Sequence, residues 1–170
     1  MPSDYDLCLE FDHSASTDWV WQMVVDERQG GLSVAFRPAR LPRTVTTLYP
    51  RDRGALMQSW AQGEVFLVAQ RADALAGYVN VREDAAQQIA WVADLVVDRP
   101  YRMQGVGTAL LRAVRQWALE RSLRHLIVET QTKNYPAISF LQQRGLVFAG
   151  YNDRYYPNQD IALFFGQSLR

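Results

Sequence analysis

The segment RPYRMQGVGTALL, residues 99–111, places two glycines between an apolar run and the start of a helical pattern. The N-terminus of a helix presents unpaired backbone N–H groups and the positive end of the helix dipole, which together bind phosphate groups. Gly105 and Gly107 let these N–H groups converge and let a ligand approach the backbone closely. The spacing therefore predicts a loop that binds a phosphorylated ligand.

Two common phosphate-binding motifs do not match this loop. A dinucleotide fingerprint needs a third glycine at position 110, where the chain has Leu110, and a nucleotide-triphosphate loop needs Gly-Lys-Ser/Thr, which the sequence lacks. The pattern that matches is Arg/Gln-x-x-Gly-x-Gly/Ala. Small residues at the entry to a helix would give the same short pattern, so the flanking elements must decide between the two interpretations.

Hydrophobic periodicity predicts a mixed α/β domain around the loop. Strands are expected at Val65–Gln70, Leu75–Arg82, Ile89–Val97, Leu126–Thr130, Val147–Tyr151 and Ile161–Phe165. Helices are expected at Arg53–Ala61, Thr108–Arg121 and Asn134–Arg144. Asn134 is the expected N-cap of the last helix, and Gly145 follows its end. The loop thus follows a strand and opens a helix.

The first fifty residues give weaker signals. Leu7–Phe11 reads as a first strand, and the runs Val20–Val25 and Leu32–Phe36 read as a hairpin joined across a pair of glycines. Three prolines are expected to mark an irregular connection after the hairpin. They are Pro38, Pro42 and Pro50.

Composition limits the class of protein. The 170 residues include 18 basic and 18 acidic side chains, and the basic ones are scattered, which argues against a nucleic-acid surface. Cys8 is the only cysteine, so an intramolecular disulfide and a cysteine-rich metal site are excluded, and we expect no metal. The N-terminus lacks the pattern of a secretory signal, and the longest apolar stretch is interrupted by Asp94 and too short to span a bilayer. We expect a cytoplasmic protein without membrane contact.

Arg102, Gly105 and Gly107, with a strand before them, resemble the acetyl-CoA loop of the GNAT superfamily of N-acetyltransferases. The downstream residues that match the family pattern are, in order, Glu129, Asn134, Ala137, Phe140 and Gly145. The runs VETQ (128–131) and GYNDRYYPNQDIALFF (150–165) are most similar to the streptothricin acetyltransferase branch. The resemblance covers about residues 65–165.

This resemblance implies a mixed, mostly antiparallel central sheet with a splayed parallel strand pair and flanking helices. It implies one acetyltransferase domain over residues 1–170, with a variable N-terminal part at 1–62 and an acetyl-CoA-binding core at 63–167. The pantetheine arm of acetyl-CoA would lie between the strands Ile89–Val97 and Leu126–Thr130. The residues implied in acetyl-CoA binding are Leu95, Val96, Val97, Arg102, Met103, Gln104, Gly105, Val106, Gly107, Thr108, Asn134 and Phe140.

The implied reaction transfers an acetyl group from acetyl-CoA to an amine, with a backbone N–H near Leu95 or Val96 facing the thioester oxygen. We expect Asp94 to be the base, because it interrupts an apolar strand near the acetyl position and aligns with an acidic residue of the streptothricin-type pattern. Glu129 is the alternative base, since it too ends a buried strand. Structural roles stay open for both residues, a bond to the backbone for Asp94 and an ion pair with an arginine for Glu129.

The proton donor for the leaving thiolate departs from the family pattern. Many relatives have a tyrosine directly after the helix phenylalanine, and this chain has Leu141 there. Tyr135 and Tyr156 are the catalytic candidates, with Tyr155 or water as alternatives. The two histidines, His13 among them, have no partner spacing that suggests a metal site or a triad, so we assign them no catalytic role.

We therefore expect an N-acetyltransferase that acetylates a primary amine of a small cationic molecule, such as a streptothricin-like antibiotic, a polyamine or a metabolite. The amine would attack acetyl-CoA directly in a ternary complex. One alternative is a non-catalytic acyl-CoA-binding or interaction module, which Leu141 favours. Another is a peptide or protein N-acetyltransferase. A homodimer is left open by the sequence.

Overall fold

The computed structural model describes residues 3–169, apart from the side chain of Gln29. The helices are α1 (Asp4–Leu9), α2 (Arg53–Ala61), α3 (Val106–Glu120) and α4 (Tyr135–Gln143). The strands are β1 (Ala15–Asp26), β2 (Ser33–Thr47), β3 (Val65–Arg71), β4 (Ala74–Asp84), β5 (Ile89–Val97), β6 (His125–Gln131), β7 (Val147–Asn152) and β8 (Ala162–Ser168). Within residues 3–169, no helix is long and apolar enough to cross a membrane.

Strands β3 to β8 form a six-stranded sheet in the order β3-β4-β5-β6-β8-β7, and β1 and β2 form a separate antiparallel hairpin. Strands β5 and β6 run parallel, whereas the other neighbours in the large sheet are antiparallel. The predicted mixed, mostly antiparallel sheet with a parallel pair and flanking helices is therefore confirmed.

The parallel pair separates along its length. Strands β5 and β6 pair from Ile89 with His125 to Val92 with Val128, and the pairing ends there although both strands continue. At the same level the β4–β5 register shifts, so that Ala93 is an extra residue in β5. A bulge of this kind disrupts the ladder locally and bends the strand. The result is a gap between two neighbouring strands of one sheet.

The helices cover both faces of the large sheet. Val79 of β4 belongs to the core cluster that includes α3 and α4, through residues such as Leu110 and Ile138. Its neighbour Tyr78 belongs to a second cluster with Cys8 of α1 and residues of α2. Successive side chains of a strand point to opposite faces, so α3 and α4 lie on one face and α1 and α2 on the other.

The predicted hairpin is confirmed, although β1 begins earlier and β2 ends later than predicted, and it packs against the large sheet beside α4. Trp21 of β1 contacts the ring of Phe165 at 5.8 Å between centroids, and its N–H donates to the Thr132 carbonyl at 2.9 Å. Predicted elements in the rest of the chain match the observed ones within two or three residues at their ends, and the bounds of α2 and β5 match fully. The expected division of the domain into a variable part at 1–62 and an acetyl-CoA-binding core at 63–167 stays a prediction.

Two expectations for the N-terminal part are wrong. The expected strand Leu7–Phe11 does not form, because Ser3 and Asp6 form a capping box that starts α1, and this helix continues to Leu9 with Glu10 as its C-cap. The expected irregular connection is also wrong at Pro38 and Pro42, which lie inside β2. Proline is tolerated there because β2 has a single partner strand, which leaves one edge where no ladder N–H is needed.

The packing of α3 on β4 depends on Gly77, and this gives a first prediction. A Cβ atom at Gly77 would lie 2.8 Å from the Val96 carbonyl oxygen and 3.1 Å from Val106 Cγ1. We expect Gly77→Ala to lower the free energy of unfolding by about 1–3 kcal/mol, measured by urea denaturation. The matched control is Gly31→Ala, where a Cβ meets nothing within 4 Å. A loss for Gly77→Ala no larger than that for Gly31→Ala would contradict this account.

Candidate active site

The loop before α3 has the geometry that phosphate binding requires. Gly105 is the N-cap of α3 with φ of 85° and ψ of −2°, a left-handed conformation that glycine adopts without strain. The first helical hydrogen bond runs from the Ala109 N–H to the Gly105 carbonyl at 3.0 Å. The N–H groups of Val106, Gly107 and Thr108 consequently lie ahead of the helical ladder and are available to a ligand.

A cavity of about 530 Å³ starts at this loop and continues into the gap between β5 and β6. Its walls include Leu95–Val97 on one strand and Val128–Gln131 on the other. The far end is lined by Tyr49 and Tyr156. This volume is typical of a pocket for a small molecule or cofactor.

The predicted acetyl-CoA residues largely line this cavity. The members that do so are Leu95, Val96, Val97, Arg102, Met103, Gly105, Val106, Gly107, Thr108, Asn134 and Phe140. Gln104 instead accepts a hydrogen bond from Arg71 at 2.8 Å and donates to the Pro100 carbonyl at 2.8 Å, which fixes the loop. Phe140 packs on Gly107, where an added Cβ would lie 3.4 Å from its ring. The loop glycine and α4 are thus in contact beside the cavity.

Arg102 holds the loop against the N-terminal segment. Its Nε donates to the Val97 carbonyl at 2.9 Å and its Nη1 to the Ser14 carbonyl at 2.7 Å, and Nη2 donates to the Asp12 carbonyl. The guanidinium therefore satisfies backbone acceptors on both sides of the cavity mouth. Asn134 also bonds to the backbone, because its Oδ1 accepts a hydrogen bond from the Ala137 N–H at 3.2 Å and caps α4.

Asp94 is buried and surrounded by donors. Its Oδ1 accepts from the Tyr49 hydroxyl at 2.7 Å and from Arg51 at 3.1 Å. Its Oδ2 accepts from the Ser59 hydroxyl at 2.9 Å and from the Asn80 amide at 3.1 Å. A carboxylate can accept about four hydrogen bonds, and Asp94 accepts four from donors within residues 3–169. Asp94 lies beside the cavity and is not one of its lining residues within the described chain.

Glu129 lines the cavity and is bonded less completely. Its Oε2 accepts from the indole N–H of Trp91 at 2.6 Å and from the Tyr155 hydroxyl at 2.9 Å. Its Oε1 accepts from Arg51, and Arg82 lies 3.7 Å from Oε2. Among the described residues, Oε1 of Glu129 has one hydrogen-bond donor, whereas each carboxylate oxygen of Asp94 has two. Glu129 is the carboxylate of this pair that the cavity reaches.

Arg51 joins the two carboxylates, a role that no pattern in the sequence indicates. Its side chain is 10% exposed, and the attraction of Asp94 and Glu129 raises its pKa although burial acts in the opposite direction. It precedes α2 and lies 43 and 78 residues from its two acidic partners. Contacts at such a separation leave no periodic signal in the sequence.

The tyrosine candidates lie in different places. Tyr156 lines the cavity and is 2% exposed, and burial, followed by the charge of Glu129, raises its pKa well above 10.0. Tyr135 opens α4 and stacks on Trp19 at 6.0 Å, outside the set of cavity-lining residues that the structure describes. Leu141 is 1% exposed in the core.

His13 is a further cavity-lining residue, which sequence reasoning had set aside. Its Nδ1 lies 2.7 Å from the Phe11 carbonyl and therefore donates to it, so Nε2 accepts from the Tyr78 hydroxyl at 3.0 Å. Burial lowers the pKa of His13, while the Phe11 carbonyl and nearby carboxylates oppose this effect. Its partner Tyr78 is 65 residues away, so spacing could not reveal the pair.

Parallel strands that part over a cavity, with a helix N-terminus bared beside it, form the arrangement that the resemblance to the GNAT superfamily implies. The family model of the acetyltransferase (GNAT) family matches residues 36–146. The chain therefore belongs to the acetyltransferase (GNAT) family, and it is an enzyme that uses acetyl-CoA.

Individual relatives agree with this assignment. The chain is 29% identical over 160 residues to streptothricin acetyltransferase of Streptomyces lavendulae, which covers 91% of this chain and 82% of that protein. Its fold matches the crystal structure of nourseothricin acetyltransferase with a TM-score of 0.82 at 24% identity, over 100% of this chain and 95% of the other. It also matches a Bacillus anthracis str. Ames protein in complex with acetyl coenzyme A, with a TM-score of 0.71 at 19% identity, over 94% and 88% of the two chains.

The environment of His13 predicts a pH effect on stability. Because its pKa is lowered from 6.5 in the folded protein, the unfolded chain takes up a proton first as pH falls, and stability is lost below about pH 6.5. The stability lost in His13→Gln should therefore be larger at pH 7.5 than at pH 5.5, measured by urea denaturation. The control is His125→Gln at the exposed second histidine. An NMR titration midpoint for His13 at or above 6.5 would contradict the prediction.

Proposed function

We propose that this enzyme acetylates an amine of a streptothricin-type antibiotic by direct attack on acetyl-CoA in a ternary complex. The choice of acceptor is supported by two relatives, which are named streptothricin acetyltransferase and nourseothricin acetyltransferase. The observation that carries the proposal is one cavity that joins the bared amides of α3 to Glu129 and Tyr156. It brings a phosphate-binding end and ionisable groups into a single space.

The residues around the cavity fit acetyl-CoA. The N–H groups at the start of α3 would hold the diphosphate, and the edges of Leu95–Val97 and Val128–Gln131 would flank the pantetheine arm. When bound, acetyl-CoA supplies a thioester carbonyl that an amine can attack. A fixed backbone N–H near Leu95 or Val96 would stabilise negative charge on that carbonyl oxygen.

Glu129 is the group that we propose to receive the amine proton, directly or through water. A lysine-like amine with a pKa of about 10.4 needs about 4.6 kcal/mol to be neutral at pH 7, so a modest base is sufficient. Glu129 lines the cavity, and Arg51 donates to Oε1 while two donors share Oε2. Asp94, the base that the sequence favours, is bonded by four donors and would act by fixing Arg51.

Tyr156 is the proposed proton donor to the leaving thiolate. Its raised pKa keeps the phenol protonated near neutral pH, and it lines the cavity close to Arg51, which stacks over its ring at 5.1 Å. Leu141 is buried at the position where many relatives have this tyrosine. Tyr135 stays a prediction, as do the cytoplasmic location and a homodimer.

The acceptor test is an assay of thiol release from acetyl-CoA with a panel of amines. We expect kcat/KM for a streptothricin-type antibiotic to exceed that for a polyamine, a free lysine or a peptide N-terminus by about 100-fold. A site that matches the acceptor orients its amine toward the thioester, which lowers the barrier to attack. A preference for the peptide would favour a protein N-acetyltransferase. Binding of acetyl-CoA without turnover on any amine would favour the non-catalytic alternative.

The two carboxylates can be separated by their effects on turnover. Glu129→Gln should lower kcat by about 100-fold, because it removes the proposed proton acceptor. Asp94→Asn is the matched control, since it changes the other partner of Arg51 but leaves the cavity lining intact. It should lower the free energy of unfolding and keep kcat much closer to the wild-type value. An equal loss of kcat in both variants would count against Glu129 as the base.

A further inference from the structure

Arg51 lies at the point where β5 and β6 part. Pairing of the two strands ends at Val92 with Val128, and the next residues along the strands are Ala93 and Glu129. Nη1 of Arg51 donates to the Ala93 carbonyl at 3.1 Å, and Nη2 donates to Glu129. The guanidinium thus bridges the strands where the backbone ladder stops.

The Ala93 carbonyl needs such a donor. Ala93 is the extra residue of the bulge in β5, and a bulged residue loses its place in the ladder. It is 2% exposed, so water does not readily replace the lost partner. Because an unpaired buried carbonyl is costly, a donor from outside the sheet stabilises the separated arrangement.

The cavity begins directly beyond this bridge. Leu95 and Glu129 line it, whereas Arg51 and Ala93 are absent from its lining in the part of the chain that the structure describes. Arg51 therefore lies outside the cavity lining, at the point where the gap begins. Movement of the guanidinium would alter the spacing of the strands without removing any group that touches a ligand.

Arginine chemistry suits this position better than lysine chemistry. The planar fork gives separate donors to a carbonyl and two carboxylates, and a lysine ammonium at one point cannot match all three. The guanidinium also lies 5.1 Å from the centre of the Tyr156 ring. It connects the segment before α2, both parted strands and the segment before β8.

We propose that Arg51 is a positioning residue for acetyl-CoA, which holds β5 and β6 at the separation that the pantetheine arm requires. This inference rests on the proposed function, because it assigns the gap to the pantetheine arm. Arg51 acts through the strands and does not contact the bound molecule. Its effect should fall on the part of CoA within the gap and spare the part bound by the α3 amides.

The test compares two ligands by calorimetry. CoA carries the pantetheine arm, whereas 3′-phosphoadenosine 5′-diphosphate carries the same nucleotide and diphosphate without it. Arg51→Lys keeps the positive charge and loses the fork, and we expect it to weaken CoA binding by about tenfold or more while leaving binding of the nucleotide unchanged. The matched control is Arg53→Lys, at an exposed arginine two positions along the chain, which should leave both affinities unchanged.

An equal loss of affinity for both ligands, or no loss for either, would overturn the role of Arg51 and leave the proposed function standing. If the wild-type protein bound no CoA, both proposals would fail together. A purely structural role would lower the melting temperature of Arg51→Lys without changing the ratio of the two affinities. Should Arg51→Lys fail to fold, Arg51→Gln combined with Asp94→Asn avoids an unpaired carboxylate at Asp94 without changing the cavity lining, and it is judged by the same ratio.

Discussion

The structure depends on the point at which β5 and β6 stop pairing. The ladder runs from Ile89 and His125 to Val92 and Val128 and then ends, although both strands continue. Each strand keeps its outer partner, β4 for β5 and β8 for β6, so the sheet stays intact around the gap. Buried backbone groups on the inner edges need hydrogen-bond partners. The gap is therefore stable where side-chain donors or a bound ligand supply them.

One extra residue explains how a charged side chain is buried in an apolar run. Val92 lies in the core cluster beneath α3, and strict alternation would put Asp94 on that same apolar face. The bulge at Ala93 reverses the alternation, so that Asp94 lies opposite Asn80 on the other face. There Tyr49 and its neighbours donate to the carboxylate. The same bulge thus opens the gap and places the buried acid beside it.

The sequence predicted what local contacts determine. The bounds of α2 and β5, the N-cap Asn134 and the need for glycine at 105 all follow from neighbouring residues, and the structure agrees. The predicted strand at Leu7–Phe11 was wrong, because apolar residues that alternate over five positions also fit a capped turn of helix. Arg51 could not be predicted, since its partners are supplied by strands that are distant along the chain and meet it in the folded state alone.

The segment before β3, which the family model matches from residue 36 onward, is bonded at two places to the walls of the cavity. Arg102 binds the Asp12 and Ser14 carbonyls at the mouth, where the α3 amides are. Tyr49 donates to Asp94, and Arg51 donates to Asp94 and Glu129, where the gap between β5 and β6 begins. A segment that is bonded at both places is held against the residues that line the cavity. The N-terminal part thus contributes to the walls of the cavity, and the acceptor depends on the residues of those walls because the fold itself does not fix the substrate.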